Sequence, residues 1–183
     1  PQVEGHHQPR LPDALGFYDL RVKDVQREQI RLAKKHGIFG FCYHHYWFGG
    51  KRLLERPLQQ VLDDPTLDFP FCICWANENW TRRWDGHDQE VLIGQDHSPE
   101  DDLAFMAELE PALRDPRYIK INGRPLLIVY RPQLFPDPAA TAEHWRKYAR
   151  DRGLAEPYLV NVHSFPEALD PRSIGFDAAV EFP

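Results

Sequence analysis

No stretch of this sequence approaches the roughly 20 consecutive apolar residues of a membrane-spanning helix, so no membrane span is expected. Basic charge is also scarce. The 22 Lys and Arg stand against 28 Asp and Glu, a formal charge of −6 at pH 7. That balance excludes a general nucleic-acid binder, which needs a basic face for the phosphates. Cysteine is rare, and three thiols, Cys42, Cys72 and Cys74, cannot all pair with one another. Each lies in an apolar run, which reads as core thiols in a reducing cytosol and a cytoplasmic protein. Zinc would need wider cysteine spacing and further ligands. Several signatures are missing altogether. There is no G-x-G-x-x-G, no P-loop and no G-x-S-x-G, hence no expected cofactor and no serine nucleophile elbow. There is no D-x-D to hold a metal diphosphate, and no H-x-H or H-E-x-x-H zinc pair. No signal peptide is visible. The chain opens on Pro1 and stops at Glu181-Phe182-Pro183, the end of an expected strand, which reads as a piece of something larger.

What remains is a globular composition: 183 residues, 42% hydrophobic and 13% aromatic. Strand and helix patterns alternate. Val22 to Lys35 reads as a helix stopped by His36-Gly37. Helices are also expected at Pro57 to Leu62, from Ser98-Pro99 towards Leu113, and from Asp137-Pro138 to near Asp151. Strands are expected at Ile38 to Tyr43, Phe69 to Trp75, Leu126 to Tyr130, Tyr158 to Val162 and Ala178 to Phe182. Strands joined by crossover helices pair in parallel and give an α/β fold. Polar and aromatic residues gather at the strand ends, where a (β/α)8 barrel builds its active site. The expectation is a single TIM-barrel-type domain over residues 1–183, a partial barrel of about five strands.

The densest block is Trp75-Ala76-Asn77-Glu78-Asn79-Trp80-Thr81-Arg82-Arg83-Trp84-Asp85. Tryptophans concentrated in a loop suit the apolar faces of pyranose rings, while carboxylates, amides and guanidinium groups suit their hydroxyls. Trp75, Trp80 and Trp84 are the expected stacking residues. Asn77, Glu78, Arg82, Arg83 and Asp85 are the expected hydroxyl or anion contacts. His44, His45, Tyr46 and Trp47 form a second block before a Gly49-Gly50 turn, with one of the two histidines reaching the pocket. Tyr130, Arg131, His163 and Glu181 complete the mouth. His6, His7, His87, His97 and His144 read as surface or loop residues. Glycoside hydrolysis needs two carboxylates, and Glu78 and Glu181 are the strand-end candidates. Each also reads as a hydroxyl contact or as a partner of Arg82, Arg83 or Arg131. The partner implied is an oligosaccharide or polysaccharide; no oligomeric state follows. A non-catalytic glycan-binding module and a metal-dependent hydrolase using His44 or His45, His163, Glu78 and Glu181 stand as alternatives.

These blocks resemble a known family. The runs Gly37 to Pro57 and Phe69 to Gly86 are similar to the WbsX-type family, as are His7 to Pro12, Gly16 to Asp19 and Phe176 to Pro183. That family is named for glycosyltransferases of bacterial polysaccharide biosynthesis. It is related to glycoside hydrolase family 99 endo-mannosidases, which are (β/α)8 barrels. The resemblance implies a first barrel strand upstream of residue 1. It also implies a later Asn-Glu-Trp-x-Glu-Gly block, whose glutamates are the catalytic pair in the hydrolase relatives. This chain has no such block. The resemblance therefore implies a sugar-binding wall without the acid–base pair.

Overall fold

The computed structural model describes residues 5, 10–82, 86–164 and 169–182. In chain order the elements are α1 (Lys23–Lys35), β1 (Phe41–Phe48), β2 (Lys51–Leu53), α2 (Arg56–Asp63), β3 (Phe71–Trp75), β4 (Trp80–Arg82) and β5 (His87–Ile93). There follow α3 (Pro99–Arg114), β6 (Lys120–Ile121), β7 (Arg124–Val129), α4 (Pro138–Asp151), β8 (Tyr158–His163) and β9 (Ala178–Glu181). The two long helices start as their sequences imply. Ser98 accepts from the Asp101 amide at 3.1 Å, and Asp137 from the Ala140 amide at 3.0 Å. A proline in each first turn has no N–H to leave unpaired.

The strands β1, β3, β7, β8 and β9 pair in parallel in that spatial order. This is a mixed α/β fold with a parallel sheet. Short β2 and β6 fold back antiparallel on β1 and β7, and β4 with β5 makes a separate hairpin. The sheet does not close on itself among the described residues. The far edge of β1 before Tyr46 carries no strand there. A groove of about 580 Å³ runs beside that edge, lined by Leu32, Ala33, Phe41, Tyr43 and Leu58 among others.

The first strand lies later than Ile38 to Tyr43. Ile38 and Phe39 are exposed, and pairing begins where the Phe41 amide donates to the Pro70 carbonyl at 2.9 Å. Gly40 makes that approach possible, because a Cβ there would sit 2.6 Å from the Pro70 oxygen. The strand then continues through the aromatic run, since Gly49 and Gly50, at φ +52° and +91°, turn it back into β2. The β4–β5 hairpin escapes a sequence reading because β4 has only three residues and the register is broken twice.

Residues on each strand divide between two faces. In β3, Phe71, Ile73 and Trp75 face the helices, while Cys72 and Cys74 face the inner side of the sheet. Trp75 is fully buried, with its indole stacked on Phe105 (ring centres 4.1 Å apart) and close to Trp145 and Phe135. This cluster holds α3 and α4 against the sheet.

Gly40→Ala is expected to lower stability by about 1–3 kcal/mol, since backbone must move to admit the methyl group. Chemical denaturation at neutral pH measures it; an unchanged midpoint would show that β1 does not depend on this close approach.

Candidate functional site

The carboxyl ends of β1, β3 and β7 meet the loops that follow them. Their geometry rests on Asn77, which is fully buried. Its side-chain amide donates to the Arg131 carbonyl at 2.9 Å and its side-chain oxygen accepts from the Arg131 amide at 2.8 Å. That two-way clamp joins the loop after β3 to the end of β7. It brings Glu78 against the Arg131 guanidinium at 2.9 Å, with both side chains partly exposed. From the other side, the Gln95 amide donates to Asn79 Oδ1 at 2.7 Å, and its side chain donates to the Glu78 carbonyl at 3.3 Å.

An aromatic surface adjoins this ion pair. His44, Tyr46 and Phe48 share the inner face of β1. Trp80 packs edge-on against Tyr46 and Phe48, with ring centres 5.4 and 5.5 Å away, and stays partly exposed. His44 is exposed and lies nearly parallel to Tyr46. Burial raises the pKa of the Tyr46 phenol, which keeps its proton and can donate at neutral pH. Tyr130 lies on the same inner face of β7, tilted against Phe182 at 6.1 Å.

The other candidates fall elsewhere. His45, Trp47 and Trp75 are buried on the helix side, so the expectation that they contact a sugar is corrected. The cause is alternation: His45, Trp47 and Trp75 share the face towards α3, where Trp47 donates to Asp101 at 2.8 Å and His45 packs on Phe105. Asn77 is a buried clamp rather than a hydroxyl contact. Arg82 pairs with Glu90 at 3.0 Å across the hairpin. His163 bonds the Leu169 carbonyl at 3.0 Å, as does the Asn161 side chain, and so holds the loop after β8. Glu181 stands opposite His163 on the helix-side face and is exposed. Glu78 lies against Arg131 past the end of β7, whereas Glu181 ends β9, two strands further along the sheet.

Arg83, Trp84 and Asp85 lie outside the described residues, as do His6, His7 and the side chain of His87. His97 and His144 are not free surface residues: His97 packs against Trp75 and Phe135, and His144 meets Asp102 at 2.7 Å. Among the described residues no His, Cys, Asp and Glu group is placed to hold a metal ion, and no helix is long and apolar enough to cross a membrane. Sequence reading missed Phe48 and Phe182, which alternation from Tyr46 and Val180 would have found. It missed Gln95, whose position depends on the hairpin.

A family model described as Glycosyltransferase WbsX matches residues 1–183. Two proteins from strains of Xanthomonas campestris pv. campestris, each called uncharacterized protein WxcX, are 57% identical over the whole chain. The chain spans 26% of the length of these curated relatives. Among solved structures, a glycoside hydrolase-like protein superposes with a TM-score of 0.63 at 15% identity, over 96% of this chain and 54% of that one. The GH99 endo-alpha-mannosidase from Bacteroides thetaiotaomicron gives 0.59 at 16% identity, over 92% of this chain and 46% of that one. The fold is therefore similar to that of GH99 proteins.

Burial of His45 carries a pH dependence. Loss of hydration pushes its pKa from 6.5 down to about 4, so the fold holds the neutral ring. The unfolded chain then binds more protons between those values, and stability falls as pH drops through that window. Wild type is expected to lose about 2–3 kcal/mol more than His45→Leu between pH 7 and 4.5. Urea unfolding at both pH values checks this; equal losses would mean that His45 gains its proton without cost.

Proposed function

The chain belongs to the WbsX glycosyltransferase family, and from that premise we propose that it forms the sugar-binding wall of a carbohydrate-active enzyme of polysaccharide biosynthesis or processing. The observation that carries this reading is the partly exposed Trp80–Tyr46–His44 surface beside the Glu78–Arg131 ion pair. A pyranose lying on the indole presents its hydroxyls to a carboxylate that accepts and a guanidinium that donates. Because the two are already paired, neither has to be desolvated alone when a sugar excludes water. Trp84, Arg83 and Asp85 belong to the proposal by their place in the same loop, and Tyr130 by its place on the inner face.

The wider architecture proposed is a complete (β/α)8 barrel, of which residues 1–183 are one partial domain. The unpaired edge of β1 and the apolar groove beside it are what an adjoining strand would cover. The acid–base pair is then supplied by chain outside these residues. The substrate class suggested by the named GH99 neighbours is an α-mannoside. The lack of an Asn-Glu-Trp-x-Glu-Gly block in these 183 residues favours binding without turnover by them alone.

In the complete protein, Trp80→Ala is expected to weaken glycan binding about 2–10-fold, and Glu78→Gln about tenfold or more. Neither is expected to shift the melting temperature as Trp75→Ala does, which removes a fully buried indole at about 3–5 kcal/mol. Calorimetric titration with mannose oligosaccharides measures the affinities, and wild-type affinity in both variants would sink the site. Incubating the 183-residue chain with α-mannosides is expected to yield no hydrolysis. Robust turnover would place an acid–base pair within it.

A further inference from the structure

A cavity of about 400 Å³ lies between α2 and α3, on the opposite face of β1 from His44 and Tyr46. Leu58, Leu62, Ile73 and Leu109 give it apolar sides. Its polar side chains form a connected row. Arg52 pairs with Glu108 at 2.8 Å and donates to Gln59 Oε1 at 3.2 Å. Gln59 donates in turn to Asp63 at 2.9 Å. Asp115, also in the lining, is held by Arg117. Asp63 has no cationic partner among the described residues. The proposed sugar wall uses none of these groups.

Two further polar groups of the lining lack partners. His45 is only 5% exposed, and its Nε2 meets no donor or acceptor among the described residues. A buried ring nitrogen is costly unless something bonds to it. Pro111 sits inside α3 and carries no N–H, so the Ala107 carbonyl loses the donor that a helix supplies four residues on.

We propose that the α2–α3 cavity binds a small organic ammonium ion. Carboxylates outnumber guanidinium groups three to one in the lining, which disfavours an anion. The Arg52 charge is already answered by Glu108, and a cation answers the charge left on Asp63. The open hydrogen-bonding positions are acceptors: the Asp63 carboxylate, the Ala107 carbonyl and, with the ring proton on Nδ1, His45 Nε2. An ammonium group carries three donors and no acceptor, and its bonds to a carboxylate are the stronger, charge-assisted kind. Loss of hydration keeps the His45 ring neutral at pH 7, so the ligand meets an acceptor there rather than a second cation. Its alkyl part lies against Leu58 and Leu62. The volume falls within the roughly 300–1,000 Å³ of small-molecule sites.

His45 also borders the groove beside β1, so the test uses the complete protein. The probe is butylammonium chloride at neutral pH, compared with 1-butanol and butyrate at constant ionic strength. Calorimetry gives the affinity, and NMR of the histidine ring nitrogens reports on the site, the His45 signal being the one lost in His45→Phe. Butylammonium is expected to shift that signal saturably and to bind about fivefold or more tighter than butanol, with no binding of butyrate. Asp63→Asn is expected to weaken the amine about threefold. Pro111→Ala returns an N–H to the Ala107 carbonyl and is expected to weaken it about threefold or more. The melting temperature should not fall in Pro111→Ala, because alanine suits a helix better than proline. Trp80→Ala is expected to keep the wild-type amine affinity. An unmoved His45 signal, equal binding of butanol, or wild-type affinity in either Asp63→Asn or Pro111→Ala would each overturn the site. Loss of amine binding in Trp80→Ala would overturn it too, by placing the amine at the strand ends.

Discussion

Period-two alternation on two neighbouring parallel strands decides what every residue at this end of the sheet can do. A parallel strand between helices and an inner face has no solvent side, so neighbouring residues enter different interiors. On β3 this sends Trp75 into the aromatic cluster under α3 and α4, and leaves Cys74 on the opposite face. On β1 the same rule separates His44 from His45 and Tyr46 from Trp47. One member of each pair stabilises the fold and the other is available to a ligand. A one-residue slip of register would exchange the two sets, placing the polar face against Phe105.

The loops after the strands inherit their order from that packing. With Trp75 immobilised, the chain reaches Asn77 two residues later, and its buried amide saturates both backbone groups of Arg131. A buried amide is costly unless hydrogen-bonded, and the complementary backbone pair satisfies it. Glu78 and Arg131 are adjacent because their backbones are clamped, more than because their charges attract. A half-exposed ion pair contributes only about 0–1 kcal/mol by itself. The arrangement suits the proposed recognition, since the pair is already positioned before a ligand arrives.

Much of the fold was legible in local sequence. The capped and proline-led helix starts, the five parallel strands and the Gly49-Gly50 turn all depend on neighbours in the chain. The candidate site was legible as composition, and only partly as geometry. Trp75 and Trp80 are equally aromatic in sequence, but one is the last residue of a strand and the other opens a hairpin. Their fates diverge because α3 covers one and nothing among the described elements fully covers the other. His163 likewise looked like a pocket residue until the chain after β8 returned to accept its hydrogen bond. Such long-range closure has no signature in neighbouring residues.

The inner face therefore changes character along one strand pair. Towards the carboxyl end, His44 and Tyr46 lie with Trp80 and form the proposed sugar wall. Towards the amino end, Cys42 and Cys72 lie side by side. Successive residues on one strand face lie about 6.6–6.8 Å apart, so Cys42 is one such step from His44, and Cys74 stands in register with His44. The register of two strands thus fixes how far the thiol row lies from the proposed sugar wall.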